Sequence, residues 1–237
     1  MAGRQYIGRM SVHRPPWATA LIRSALPSTC AVCGRWPAQP VCRDCLARFG
    51  ARPMVDGLAP GPLVRCVAAV RYGYPWTTLL ARLKFQDEPG WAGPLARLMA
   101  LAAQDDSLLA SCDALVPVPL SPRRLAERGY NQAWELARRL DRPALPQALL
   151  RCLEGPPQRT LDRAARLQQL HGAFLVHPRA RAAVSGRHLL LIDDVVTTGA
   201  TVQAAATALH QAGAASVTAL VLAATPAPAW APPLTPL

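Results

Sequence analysis

A pair of adjacent acids next to a threonine-rich turn is the part of this sequence best suited to chemistry. Asp193 and Asp194 follow the aliphatic residues 189–192, which predict a strand buried on both faces. Ligands of open α/β sheets bind at the carboxyl ends of strands, so we expect both carboxylates to face a ligand there. Carboxylates in that position are suited to sugar hydroxyls or to a magnesium ion.

The turn that follows the acids is suited to an anion. Thr197, Thr198 and Thr201 surround Gly199 and Ala200, where a helix is predicted to begin. Backbone N–H groups at a helix N-terminus, joined by threonine hydroxyls, form a common phosphate site. The alternative is an ordinary strand–turn–helix with surface acids. An Asp-Asp pair alone would not exclude it, but acids, threonines and glycine coincide here.

Four cysteines form two C-x-x-C pairs, Cys30 with Cys33 and Cys42 with Cys45. Each pair can present two thiolates to one ion, and two pairs at this separation complete a tetrahedral site typical of structural zinc. Because the segment is too small for a core, the metal would supply its folding energy. Redox-active or unliganded thiols are the alternative, but neither pair lies at a helix start near a βαβ pattern.

Basic residues that can neutralise an anionic leaving group follow two predicted elements. Lys84 ends a helix predicted over residues 76–85, where it would also complement the helix dipole. Three arginines are predicted in a loop just past a strand at residues 114–119, namely Arg123, Arg124 and Arg128. Guanidinium groups are suited to a diphosphate. A solvated basic loop is the alternative.

The elements that must position these groups alternate between strand and helix. Further strands are predicted at 63–72, 149–153, 174–177 and 217–222, and further helices at 93–104, 132–140 and 200–212. This order predicts an α/β fold with a parallel sheet flanked by helices. On the first strand we expect Val64, Cys66, Ala68 and Val70 on one face. Prolines in 114–119 argue against a fully paired central strand.

Composition divides the chain. Residues 1–26 are a basic tail, in which 17–26 fit either a short amphipathic helix or a frayed end. Glycines and prolines at 50–62 mark a linker. We therefore expect a zinc ribbon with its linker at 27–62, the α/β domain at 63–224 and a Pro-rich tail at 225–237.

The formal net charge of +12 favours phosphate-bearing partners, including nucleic acid. Lys84 is the only lysine among 26 basic residues, however, so a compositional bias of the genome explains part of this charge.

No apolar run reaches the ~18 residues of a membrane span. The first residues lack the apolar region of a signal peptide, so we expect a cytoplasmic protein. Translation could equally start at Met10.

Together these motifs resemble the ComF family of competence proteins, which join a zinc ribbon to a type I phosphoribosyltransferase domain. The resemblance covers residues 27–224 and is carried by the two C-x-x-C pairs, Leu83-Lys84-Phe85, the segment PVPLSPRRLAERGYNQA from Pro117, and IDDVVTTGAT from Ile192. A weaker match lies in the arginine-rich stretch 155–174, at Gln158, Leu161, Arg163, Arg166 and Gly172-Ala173-Phe174. Gln169 and Gly155 depart from the family's asparagine and threonine.

The resemblance implies a five-stranded parallel sheet with helices on both faces and a hood. It implies that Asp193 and Asp194 hold the ribose 2′ and 3′ hydroxyls of phosphoribosyl diphosphate, with magnesium, and that residues 197–201 wrap its 5′-phosphate. Lys84 and the three arginines are the candidates for the diphosphate. The stretch 155–174 is a candidate mobile lid, or alternatively an amphipathic surface helix.

Three functions fit the sequence. The first is transfer of a phosphoribosyl group to an unidentified acceptor, although no residue stands out as a base for that acceptor. The second is a non-catalytic accessory of DNA uptake that binds single-stranded DNA. The third is an adaptor that docks other competence proteins through the ribbon.

Overall fold

The computed structural model describes residues 29–36, 39–50, 55, 58, 61–85, 88–105, 107–152 and 172–225. Predictions for the tail at 1–26, for most of the stretch 155–174 and for the Pro-rich tail beyond 225 lie outside these residues. The chain divides into two compact units, Met1–Cys45 and Leu46–Leu237. The domain limits proposed from composition stay predictions. Of the described helices, none is both long and apolar enough to cross a membrane.

The second unit contains a four-stranded parallel sheet. In chain order the strands of the structure are β1 (Arg65–Arg71), β2 (Ala114–Pro117), β3 (Leu149–Arg151), β4 (Phe174–Val176), β5 (His188–Val196) and β6 (Ser216–Ala224). The parallel sheet has the order β1-β6-β5-β2, while β3 and β4 pair antiparallel in a sheet of their own. The predicted parallel α/β architecture is confirmed.

Helices cover both faces of this sheet. In chain order the described helices are α1 (Arg43–Phe49), α2 (Trp76–Phe85), α3 (Ala92–Asp105), α4 (Leu108–Ser111), α5 (Pro122–Arg128), α6 (Gln132–Ala137), α7 (Arg181–Val184) and α8 (Ala200–Gln211), and those on the sheet include α3, α6 and α8. Successive residues of β5 point to opposite faces. Leu189 and Leu191 therefore share a core with Val202 and Leu209 of α8. On the other face, α3 and α6 pack against the sheet and against each other.

The helix predictions at 76–85 and 93–104 are confirmed within a residue or two by α2 and α3, which bury Leu79, Leu83 and Leu95. The helix predicted at 200–212 is α8, and Gly213 follows it with a positive φ of 94°. The helix predicted at 132–140 ends earlier, at Ala137.

The face predicted for the first strand is confirmed for Cys66, Ala68 and Val70 but not for Val64. Residues 66–70 of β1 are all buried, whereas Val64 precedes the strand and is 69% exposed. A strand covered by helices on both faces has no polar side, so an alternating pattern does not apply to it.

The resemblance implied a fifth parallel strand, but the parallel sheet in the described part of the chain has four strands. Beyond β2 there is a single parallel bridge, Leu115 to Ala144. Leu115 N donates to Pro143 O at 2.8 Å, and Leu145 N donates to Leu115 O at 2.8 Å. Proline lacks an N–H group, which limits how far this segment can pair. The expectation that β2 is not fully paired is confirmed.

The loop predicted for the three arginines is wrong, because residues 122–128 form α5. Ser121 caps its start, with Oγ accepting from Arg124 N at 3.4 Å, and Pro122 occupies its first turn. Gly129, at φ 72°, ends it by donating its N–H to Leu125 O at 2.8 Å.

The small antiparallel sheet of β3 and β4 forms a separate layer, called here the hood. Arg151 pairs with Phe174 and Leu150 pairs with Leu175. Leu150 and Leu175 are exposed, while Leu149 and Phe174 are buried. Because side chains alternate along a strand, Arg151 shares the inner face with Leu149.

Candidate functional site

The acid pair lies within β5 rather than after it. Pairing between β2 and β5 ends at Pro117 and Ile192, followed by one hydrogen bond from Val118 N to Ile192 O at 2.9 Å. Pairing between β5 and β6 continues to Val196. Beyond Ile192, β5 therefore has one free edge. The expectation that the strand ends before the acids is wrong, but the acids do lie where pairing on one side stops.

The two carboxylates are held by different partners. Asp194 Oδ2 lies 3.0 Å from Lys84 Nζ, and both side chains are largely buried. Asp193 Oδ1 accepts the backbone N–H of Asp194 at 2.8 Å. Lys84 comes from the last turn of α2, so the end of that helix is tied to the end of β5.

Asp193 titrates far from the usual range of an aspartate. Burial, and after it the neighbouring charge of Asp194, raise the pKa of Asp193 to about 7. The Asp194 N–H, Lys84 and Arg151 act in the opposite direction on the same pKa. Near neutral pH, Asp193 therefore exists in both protonation states.

The threonine turn connects β5 to the N-terminus of α8. Gly199 has φ 80°, and an added Cβ would collide with the side chain of Leu58. Thr198 Oγ1 accepts the N–H of Ala200 at 3.4 Å. The positive end of the twelve-residue helix α8 therefore lies at this turn, where it favours an anion.

Acids, threonines and cations line one pocket of about 270 Å³. Of the residues predicted from sequence, it brings together Asp193, Asp194, Thr197, Thr201, Lys84, Arg124 and Arg128. Thr198, Gly199 and Ala200 shape the turn without lining the pocket. Arg123 is not brought to it: its side chain is 74% exposed, and its Nε lies 2.8 Å from Glu127 Oε1.

Arg151 lines the pocket and was missed by sequence reasoning. It extends from the inner face of the hood, with its guanidinium 5.4 Å from the centre of the Phe174 ring. Burial lowers the pKa of Arg151, and the charge of Arg124 lowers it further. The available signal was its position two residues after Leu149 on a predicted strand, which places a charge on a buried face.

Three polar residues after α5 hold the pocket wall together. Tyr130 Oη donates to Leu83 O, next to Lys84. Asn131 Nδ2 donates to Val118 O at 3.0 Å, and its Oδ1 accepts from Ala133 N at 2.9 Å. Gln132 Oε1 accepts from Arg128 Nη1 at 3.0 Å.

The four predicted cysteines meet in the first unit. Their Sγ atoms all lie within 4.8 Å of one another, with Cys30 to Cys45 at 3.8 Å and Cys33 to Cys42 at 3.7 Å. Zinc–sulfur bonds of about 2.3 Å in a tetrahedron require sulfur separations of about 3.8 Å. The cluster can therefore hold a metal such as zinc.

Local donors support thiolates in this cluster. Cys42 N donates to Cys30 Sγ at 3.4 Å, and Gly34, at φ 73°, donates to Cys30 O at 2.9 Å. At Cys30, burial opposes ionisation, but the backbone N–H groups of Cys33, Cys42 and Val32 outweigh it and lower the pKa to about 6. Burial raises the pKa of Cys45 to about 12. All seven cysteines are free thiols, so disulfides do not compete for the ligands.

Comparisons with known proteins agree with this architecture. The family described as phosphoribosyl transferase domain matches residues 127–232. The DNA utilization protein YhgH of Escherichia coli (strain K12) is 36% identical over 165 residues, which cover 67% of this chain and 71% of that protein. Competence protein F of Haemophilus influenzae is 36% identical over 149 residues, covering 60% and 65% respectively.

Among solved structures, a glutamine phosphoribosylpyrophosphate amidotransferase from B. subtilis matches with a TM-score of 0.38 and 19% identity. The match covers 60% of this chain and 30% of that longer chain.

We expect Cys42→Ser to abolish metal binding, because three remaining thiolates no longer close the tetrahedron. Zinc measured by atomic absorption should fall from about one ion per chain to near zero. Cys152→Ser, at an exposed cysteine outside the cluster, is the matched control and should retain the zinc. Equal zinc content in both variants would contradict the assignment.

We expect Asp193→Asn to stabilise the protein increasingly as the pH rises. The native carboxyl has a pKa of about 7, against ~3.9 when unfolded, so between these values the native state binds more protons. Wild-type stability therefore falls over this range, whereas the asparagine variant does not share the loss. From pH 5 to pH 8, the advantage of the variant in urea unfolding should grow by on the order of 1–3 kcal/mol.

The Asp141→Asn substitution, at an exposed aspartate outside the pocket, is the matched control for the loss of one carboxyl group. An advantage of Asp193→Asn that stays constant or shrinks with rising pH would show that Asp193 does not titrate near neutrality.

Proposed function

Because the chain belongs to the ComF family, we propose that it binds phosphoribosyl diphosphate in the pocket at the end of β5. One observation carries the proposal. Paired acids, the turn at the start of α8 and four cations from three other elements line the same pocket. Ribose hydroxyls, a 5′-phosphate and a diphosphate need these three kinds of group.

Each group has a role that follows from its chemistry. Asp193 and Asp194 accept hydrogen bonds from the ribose 2′ and 3′ hydroxyls. Residues 197–201 bind the 5′-phosphate through helix N–H groups and threonine hydroxyls. Lys84, Arg124 and Arg128 neutralise the diphosphate, which is the leaving group of a phosphoribosyl transfer.

The acid pair also fits magnesium, which prefers oxygen ligands and keeps part of its shell for waters and substrate phosphates. Asp193 and Asp194 would hold the ion, although Lys84 already occupies one oxygen of Asp194. Two carboxylates supply too few oxygen ligands to complete a magnesium site, so we infer that magnesium binds together with the ligand. When bound, the ion would add positive charge opposite the leaving diphosphate.

We infer that the reaction is phosphoribosyl transfer. Its centre becomes oxocarbenium-like as the bond to diphosphate breaks, so the protein must hold the ribose and stabilise the departing charge. The pocket supplies both functions from fixed elements: β5 for the ribose, and α2 and α5 for the charge. A cytosolic location is consistent with its seven free thiols.

Calorimetric titration with phosphoribosyl diphosphate and magnesium tests this function. Wild-type protein should bind, and Asp193→Asn and Asp194→Asn should each weaken binding about tenfold or more, as expected when a hydrogen bond to a charged group is lost. Asp141→Asn is the control and should bind like wild type. Absence of wild-type binding, or full affinity in both acid variants, would overturn the proposal.

A second candidate function is binding of single-stranded DNA, and a neighbouring pocket favours it. A cavity of about 280 Å³ is lined by Lys84, Phe85, Arg124, Glu127 and Arg128. Phe85 is 71% exposed, with the Arg128 guanidinium 5.0 Å from its ring centre. An aromatic face beside cations is the combination that binds unpaired bases and backbone phosphates. The names of the bacterial relatives, competence and DNA utilization, agree with such a role.

For this function we expect a fluorescently labelled single-stranded oligonucleotide to bind more tightly than the same sequence as duplex, with affinity falling as salt rises. Phe85→Ala should weaken single-strand binding about tenfold. Tyr74→Ala, at an exposed aromatic lining neither pocket, should not. Equal affinity for duplex and single strand, unaffected by Phe85→Ala, would reject the stacking site.

A further inference from the structure

We propose that Gln132 and Arg151 bind the ligand directly, and that the acceptors they require are the oxygens of a diphosphate. This inference rests on the proposed binding of phosphoribosyl diphosphate and deepens it. It assigns two further binding residues to the diphosphate end of that ligand.

Two buried side-chain nitrogens lack a hydrogen-bond partner in the described part of the chain, Gln132 Nε2 and Arg151 Nε. Both residues line the same pocket. Buried donors are almost always paired in native proteins, because an unpaired donor loses its water without replacement. Two unpaired donors on one pocket indicate that its ligand supplies the missing acceptors.

The orientation of the Gln132 amide is determined by its neighbour. Its Oε1 lies 3.0 Å from Arg128 Nη1. A guanidinium can only donate, so the amide oxygen must face Arg128 and the NH₂ group must face elsewhere. Gln132 is 1% exposed, so water does not satisfy that NH₂ group. The unpaired atom is therefore a donor and not a misassigned oxygen.

Arg151 approaches the pocket from the hood. The Phe174 ring supports its guanidinium at 5.4 Å. Arg124 and Arg151 line the same pocket. Burial lowers the pKa of Arg151, and the charge of Arg124 lowers it further. An anion between them would replace repulsion by attraction.

The positions of these donors indicate a diphosphate. A single phosphate at the threonine turn is served by the start of α8. A second set of donors lies on other elements: Gln132 on α6, Arg151 on β3, and Arg124 and Arg128 on α5. Lys84 is not counted in this set, because it is already paired with Asp194. A ligand with one phosphate would leave this second set of donors without acceptors. A ribose bearing a 5′-phosphate and a diphosphate satisfies both sets.

The test compares calorimetric binding of phosphoribosyl diphosphate and of ribose 5-phosphate to the full zinc-loaded chain with magnesium. Gln132→Leu and Arg151→Met should each weaken phosphoribosyl diphosphate by about 10- to 100-fold, the range for a hydrogen bond to a charged group. Affinity for ribose 5-phosphate should change less than about threefold, which also shows that the variants are folded. Gln211→Leu and Arg181→Met, at exposed positions, are the matched controls.

Gln132→Glu separates direct binding from an effect through Arg128. A glutamate keeps an acceptor for Arg128 but removes the NH₂ donor. If Gln132 contacts the diphosphate, Gln132→Glu should weaken phosphoribosyl diphosphate at least as strongly as Gln132→Leu. If it only positions Arg128, Gln132→Glu should restore wild-type affinity, and that result would overturn its role as a binding residue.

Failure of the inference is distinguishable from failure of the proposed function. Absence of wild-type binding to phosphoribosyl diphosphate rejects the function, and the inference with it. The inference alone is rejected if the wild type binds phosphoribosyl diphosphate and Gln132→Leu and Arg151→Met bind it equally well. It is also rejected if these two variants lose as much affinity for ribose 5-phosphate as for phosphoribosyl diphosphate.

Discussion

The structure of the pocket depends on where β2 and β5 stop pairing. The ladder ends at Pro117 and Ile192, and Pro119 cannot donate to extend it. β5 continues alongside β6 to Val196, so Asp193 and Asp194 lie on a strand with one unpaired edge. The chain leaving β2 turns instead into α5 and α6, which carry Arg124, Arg128 and Gln132. A single interruption of the sheet thus creates the opening and supplies its opposite wall.

The acids are costly in this position. Two adjacent carboxylates with little access to water repel each other, and one of them holds its proton to about pH 7. Lys84 offsets part of that cost at 3.0 Å from Asp194. Arg151 and Arg124 place like charges together on the other wall. In the free protein, each wall of the pocket is therefore destabilised by repulsion between like charges. A ligand rich in hydroxyls and phosphates would reduce this repulsion, and such an exchange of stability for binding is common in proteins.

Sequence reasoning succeeded where the signal is local. The aliphatic run before Asp193 and the apolar spacing of α2 and α8 each determine an element over a few residues, and C-x-x-C spacing determines the cysteine cluster. It failed for Arg151 and Gln132, whose roles depend on a hood and a helix from distant parts of the chain. It also misjudged α5, although Ser121, Pro122 and Gly129 are good helix boundary signals. The helix explains why neighbouring arginines differ: Arg124 and Arg128 are one turn apart on the same face, whereas Arg123 pairs with Glu127 on another.

The pairing of β1 with β6 has a consequence for how this protein forms on the ribosome. Arg65 aligns with Thr218, and in the described sheet β1 pairs with β6 alone. Among the described strands, β1 is synthesised first and therefore has no partner until β6 emerges, so its apolar residues 66–70 must remain protected from aggregation until then. The cysteine cluster needs only residues 30–45 and can close early. The chain thus combines a metal site that can assemble early in translation with a sheet that can be completed only after β6 has been synthesised.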